Sequence, residues 1–191
     1  MKKVLIALFL LFTITSSTAF GFDGERRGFV LGGGLGVAAV SKWSVDVDIL
    51  DIGILDYEEE QAAVAAQIII GGAFDKRNML VFEINLSGYE STDLDLKIGQ
   101  FYYGAAWYHY FGETGNSFFT ALGIGLFSIS IGDHFETSPG GAILLGAGYE
   151  FTKHVQAGVY LSGGKSNKYE LGLDGDFEHT QLSFIISALA Y

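Results

Sequence analysis

Side chains able to do acid–base, nucleophilic or metal chemistry are few and widely spaced in this 191-residue chain. It has no cysteine, which removes thiol nucleophiles, Cys-ligated zinc or iron–sulfur centres, disulfides and a lipid-modified N-terminal cysteine. The four histidines, His109, His134, His154 and His179, are scattered, and no Gly-x-Ser-x-Gly elbow accompanies them. A hydrolytic set would have to be assembled by the fold around one of them, with a serine and an acid. Carboxylates are abundant, 22 against 11 bases. Asp46-Val-Asp48 and Glu58-Glu-Glu60 supply hard oxygen ligands suited to Ca²⁺ or Mg²⁺. Their spacing matches no dedicated loop, so a solvated anionic surface is the simpler reading. The excess of acid argues against a nucleic-acid partner. No catalytic, cofactor-binding or metal-ligating residue is assigned, and no cofactor is implied.

The elements that would position these residues are unusual in composition. The chain is 49% hydrophobic, with 27 glycines, one proline and a net charge of −11. Beyond the N-terminus, no run approaches the roughly 18–20 apolar residues of a membrane helix. Lys2 and Lys3 precede the apolar run Val4 to Phe12 and a Thr/Ser stretch, the pattern of a secretory signal. Small residues allow cleavage after Ala19 or Gly21, so residues 1–21 read as a removed signal and 22–191 as one domain. The protein leaves the cytoplasm, and loss of two lysines takes the net charge to −13.

After Arg27 the chain alternates in eight strand-like segments. Leu80, Phe82, Ile84 and Leu86 oppose Val81, Glu83, Asn85 and Ser87. Phe118, Thr120, Leu122, Ile124 and Leu126 oppose Phe119, Ala121, Gly123 and Gly125. Segments around residues 29–37, 63–70, 100–111, 143–151, 155–162 and 181–186 repeat the pattern. One face is uniformly apolar; the other is Gly, Ala, Ser and Gln, poor material for a solvated surface. Three connections are short (75–78, 112–116, 152–154), and four are longer (near 44–60, 90–99, 131–140 and 165–178); the Val45/Val47/Ile49 alternation suggests that the first of these continues as strand beyond the membrane. Short turns on one side and long loops on the other describe an up-and-down barrel. Lipid requires every backbone polar group to be paired, so such a sheet must close. Eight strands leave a lumen only just wide enough for side chains.

Charge agrees with this arrangement. The four long loops hold sixteen acids and three bases, the whole net charge of the mature chain. By this map His109 and His154 lie at the short-turn end, which leaves His134 and His179 near the long loops. Trp107, His109 and Phe111 end one strand at a short turn, level with Phe74, Phe118, Phe151 and Tyr191, and Trp43 stands at the opposite end. Such placement suits interface belts.

The chain resembles the eight-stranded outer-membrane β-barrel family of Gram-negative bacteria, the OmpA/OmpX-like proteins. The carriers are the signal, the Gly-rich segment from Phe29 to Gly36, Tyr108-His-Tyr-Phe111, Thr120 to Leu126, Gly146-Ala-Gly-Tyr149 and the aromatic Tyr191. The resemblance implies an all-β, closed eight-stranded antiparallel up-and-down transmembrane β-barrel in the cell outer membrane, with no sign of a peptidoglycan-binding domain. It implies a porin-like architecture and a non-enzymatic surface-interaction or envelope-integrity role. The expected partners are outer-membrane lipids, lipopolysaccharide, the barrel assembly machinery during biogenesis, and divalent cations at the acidic loops. A monomer is expected. Some barrels of this class modify lipid, but the His-x-Ser-Asn pairing of lipid A deacylases is missing; that activity and a small-solute pore are the alternatives. Tyr191 departs from the family's usual Phe, and its parity disagrees with Leu182, Phe184 and Ile186, which suggests a bulge or slipped register in the last strand.

Two carboxylates fall on lumen parity. Glu83, mid-lumen, is expected to be hydrogen-bonded to neighbours such as Gln67, Gln100 or Tyr102, or to hold a proton. Glu150, near the periplasmic mouth, is within reach of Arg26 or Arg27. Within the spans only Lys42, near the outer end, is a base on lumen parity.

Overall fold

The computed structural model describes residues 25–48, 54–91, 96–132, 135–167 and 175–191. The expected signal segment, 1–21, and His134 lie outside them. Among the described residues the regular elements are strands: β1 (Gly28–Asp48), β2 (Ile54–Ala73), β3 (Asn78–Glu90), β4 (Lys97–Tyr110), β5 (Ser117–Ile131), β6 (Phe135–Glu136), β7 (Gly140–Thr152), β8 (Val155–Asn167) and β9 (Gly175–Ala190). The eight long strands pair antiparallel in sequence, and β1 pairs with β9, so the sheet closes and leaves no edge. The two-residue β6 folds back on the end of β5.

The alternation sorts side chains as expected, but inside out relative to a water-soluble protein. Twenty-five large hydrophobic side chains are exposed among the described residues, with Leu35 at 72%, Val64 at 70% and Ile124 at 70%. Glu83, Gln67, Gln100, Gln156 and Gln181 are buried with 1% exposure or less. Water would reverse that choice; hydrocarbon outside the barrel demands it.

Lumen glycines make room for large side chains. A Cβ at Gly123 would come within 2.6 Å of the Tyr102 hydroxyl. At Gly146 and Gly158 a Cβ would lie 2.7 and 2.8 Å from the Tyr160 ring. A small residue facing each tyrosine is how a narrow barrel fills without strain.

Two sequence expectations change. First, the register shifts in β1 between Ala38 and Ser41 against β2, and between Ala38 and Val40 against β9. This β-bulge brings both Ala38 and Ser41 inward, fully buried. Parity inverts beyond it, so Lys42 leaves lumen parity and is only half-buried. Second, β9 carries no slip: its register runs unbroken from Leu182 to Ala190, and Tyr191 continues the inward face of Ile185, Ser187 and Leu189. Tyr191 is fully buried. It belongs to the lumen, not to the interface belt. As the Val45/Val47/Ile49 alternation suggests, most of segment 44–60 is strand: β1 and β2 stay paired out to Asp48↔Ile54, and β1 pairs with β9 out to Val47↔Gly175.

Candidate functional site

The lumen holds the buried polar chemistry of the molecule. At its centre Glu83 is fully buried. Its Oε1 accepts from Gln67 Nε2 at 2.7 Å and from Asn85 Nδ2 at 2.8 Å, and its Oε2 accepts from the Tyr108 hydroxyl at 2.7 Å. Gln67 is held in turn by Ser187, whose hydroxyl donates to Gln67 Oε1 at 2.6 Å. The expected Gln67 contact is present. Gln100 and Tyr102 do not bond Glu83; Asn85 and Tyr108 take those places. Register explains this. Asn85 lies between Gln67 on β2 and Tyr102 on β4, so the amide two residues along β3 turns back on Glu83. Tyr108 reaches the carboxylate from further down β4.

The periplasmic mouth is closed by a second network. The guanidinium of Arg26 is fully buried, 2.5 Å from Glu150 Oε2. It lies 3.5 Å over the Tyr110 ring, and its Nη1 donates to the Lys76 carbonyl. Glu150 also accepts from the Gly115 N–H at 2.6 Å and from the Tyr191 hydroxyl. Tyr110 donates to Gln156 Oε1 at 2.8 Å. Of the two arginines in reach, Arg26 makes the pair and Arg27 stays exposed. One stacked cation, three donors on one carboxylate and two tyrosines make a plug built for position rather than turnover. A buried charge pair tolerates this only with its hydrogen bonds made.

Toward the external end further side chains meet across the lumen. The Phe127 ring of β5 stacks on His179 of β9, ring centroids 3.1 Å apart. Nearby, Ser87 of β3 donates to Gln181 Oε1 of β9 at 3.0 Å. Outside the lumen Lys165 pairs with Glu178, both exposed. Such a pair contributes little. Beyond it the backbone register aligns Asp46 with both Asp56 and Asp176, and Ser44 with both Glu58 and Glu178. The acids of three strands thus share rows at the outer end.

The three described histidines are not brought together. His109 and His154 sit at the short-turn end: His109 Nδ1 is 2.9 Å from Asn78 Oδ1, and His154 Nδ1 is 2.9 Å from the Leu189 carbonyl. His179 lies near the other end, packed on Phe127. Among the described residues no three His, Asp or Glu side chains are grouped to hold a metal ion. The belt residues expected on the lipid side are there. Phe74, Trp107, Phe111, Phe118 and Phe151 are all exposed. Trp107 Nε1 donates to the same Asn78 oxygen at 3.2 Å, and His109 meets Phe111 edge-on at 4.8 Å. The side chain of Trp43 falls outside the described set.

The molecule is thus a closed sheet of eight long strands, apolar outside and polar within. Among solved structures it is similar to Neisserial surface protein A, with a TM-score of 0.51 and 14% identity over 84% of this chain and 96% of that one. The fold is that of the eight-stranded outer-membrane β-barrels. Ail, the attachment invasion locus protein of Yersinia pestis, aligns at TM-score 0.45 and 11% identity over 83% of this chain and 98% of its own. OprG from Pseudomonas aeruginosa aligns at 0.46 and 13%, over 88% and 99%. No family model matches the chain, and no curated protein matches it. The barrel's exposed apolar band places it in the outer membrane.

Sequence reading missed Asn85 and Tyr108 as partners of Glu83, Tyr110 and Tyr191 as parts of the plug, and the Phe127–His179 stack. A signal existed for most. Asn85 and Tyr108 already stood on lumen parity, and Tyr191 disagreed with the lipid-facing parity of its strand. Which of them meet across the lumen depends on inter-strand stagger, which alternation along a single strand does not carry.

Proposed function

We propose that this protein is a non-enzymatic outer-membrane barrel whose work is done at its acidic external end, in surface interaction or envelope integrity. The observation that carries the reading is the division of labour in the charge. The long external segments account for the whole mature net charge of −13 once the signal is removed. Among the described residues the lumen's carboxyl groups are meanwhile tied into hydrogen-bonded networks. Lipopolysaccharide is the natural neighbour of such a rim, with divalent ions bridging loop carboxylates to its phosphates. The buried plug of Arg26 and Glu150 weighs against a solute pore.

The test is a variant in which the seven acids of segment 44–60 become Asn or Gln, expressed in a Gram-negative host. Adhesion to polylysine-coated glass and survival in detergent are then measured beside wild type. Loss of adhesion supports a surface-interaction role; loss of detergent resistance supports an integrity role. Unchanged behaviour in both refutes the reading. Deacylation of lipid A or phospholipid by the refolded barrel, or steady conductance in a planar bilayer, would replace it with enzyme or pore. Calorimetric titration with Ca²⁺ addresses the cation: no heat disposes of specific binding.

A further inference from the structure

The lipid-facing surface carries a hollow of about 490 Å³ near its periplasmic end. Its floor is short side chains and bare backbone. Thr120 of β5 lies opposite Ala147 of β7, Ala157 of β8 lies opposite Tyr149, and Gly148 pairs with Gly158 between them. Large rings wall it. Phe118 meets Tyr149 edge-on at 4.8 Å, Tyr149 meets Phe151 at 5.2 Å, and Phe184 stands across β8, opposite Val159. The Tyr149 hydroxyl donates to Asn116 Oδ1 in the β4–β5 turn, which holds that wall upright.

A second hollow, of about 430 Å³, adjoins the first at the periplasmic rim and has the opposite character. Phe111 lines the first and Gly112 the second; Phe151 lines the first and Lys153 the second. The turns that carry these residues are packed together: a Cβ at Gly115 would stand 3.3 Å from Lys153 Cγ. Lys76, Arg77 and Lys153 line the rim hollow with Glu25 and Glu113, one positive charge in excess. Lys76 pairs with Glu25 at 3.5 Å, so the excess falls to Arg77 and Lys153.

An empty groove in hydrocarbon forfeits dispersion contacts along its lining, and packing is what drives association in lipid. A second copy of this barrel could fill the groove, but it would bring the same bases to the rim. A lipid of the periplasmic leaflet brings a chain to the groove and a phosphate to the bases. A net negative headgroup also matches the sign of the excess charge.

We propose that the two hollows form one binding site for a single anionic glycerophospholipid of the periplasmic leaflet. One acyl chain lies in the aromatic groove, and the phosphate is held by Arg77 and Lys153.

Native mass spectrometry of the folded barrel tests this, with release from bilayers of phosphatidylglycerol or of phosphatidylethanolamine bearing the same chains. Wild type should retain one phosphatidylglycerol, about fivefold or more over phosphatidylethanolamine, the worth of one base near an anionic lipid. Lys153→Glu should abolish that preference. Ala147→Phe fills the groove from an exposed position and should lose the retained lipid. Ala105→Phe, at an exposed outer-face position of β4 away from the groove, should keep it. Equal retention of the two lipids by wild type overturns the proposal whatever the variants do. Retention by Ala147→Phe at the wild-type level overturns it as well, as does equal loss from Ala105→Phe.

Discussion

Replacing Glu150 with leucine is the sharpest perturbation of the periplasmic plug. The substitution removes the acceptor 2.5 Å from Arg26 Nη2 and strands a guanidinium with no exposed surface. What remains for Arg26 is the Lys76 carbonyl and the face of Tyr110. The Gly115 N–H and the Tyr191 hydroxyl lose their acceptor as well. Breaking one side of a buried pair costs about 3–5 kcal/mol, because an uncompensated charge stays behind. Arg26→Met belongs at the low end, about 3 kcal/mol, since the carboxylate it leaves keeps two donors and can also accept a proton. The double variant Arg26→Met/Glu150→Leu buries no charge and should be less destabilised than Glu150→Leu alone. Urea titration of the refolded barrel in phospholipid vesicles, followed by tryptophan fluorescence and gel mobility, measures all three. A Glu150→Leu barrel within about 1 kcal/mol of wild type would refute the reasoning, as would a double variant weaker than that single one.

Further outcomes follow from other parts of the molecule. Tyr108→Phe leaves the buried Glu83 carboxyl short of one hydrogen bond and should cost about 1–3 kcal/mol by the same titration, more than Tyr102→Phe, whose hydroxyl has no protein partner. Ile124→Arg puts a charge on the 70%-exposed outer face. It should cost about 2–4 kcal/mol in vesicles, near the value for a bilayer mid-plane; a neutral effect would argue for water on that face. In the β2–β3 turn the Asp75 carboxylate accepts from Asn78 Nδ2, the Arg77 N–H and the Asn78 N–H, which hold it below its ordinary value of 3.8. A depressed folded value means the turn's stabilisation is fully present above pH 3.8 and fades as pH falls through the lower folded value. Amide exchange at Arg77 and Asn78 should therefore accelerate at the acid end, and Asp75→Asn should abolish that pH dependence.

Much of this barrel was legible in sequence because lipid imposes a simple rule on each strand. Leu80, Phe82 and Leu122 must face out, Glu83, Asn85 and Gly123 must face in, and period two carries that information without knowledge of neighbours. The errors arose where the rule was interrupted. The bulge at Ala38–Ser41 is silent in the apolar pattern, so Lys42 was expected on the wrong face. Tyr191 was expected in the aromatic belt because of its type, although its parity, taken at face value, already pointed inward. The Val45/Val47/Ile49 alternation did hint at strands continuing past the membrane, and β1 and β2 do continue. Glu150 could be matched to an arginine because both are chain-local to one mouth. Of the partners of Glu83 only Gln67 could; Asn85 and Tyr108 could not, since which lumen residues meet depends on heights set by stagger.

The central claim is that the chain forms a closed barrel embedded in the outer membrane. Comparison of boiled and unboiled samples of the membrane fraction on SDS gels tests it most directly. A closed barrel resists detergent until heated, so the unboiled protein should migrate as a distinct, faster band that shifts on boiling. Identical migration, with the protein recovered in soluble periplasm or medium, would contradict the account.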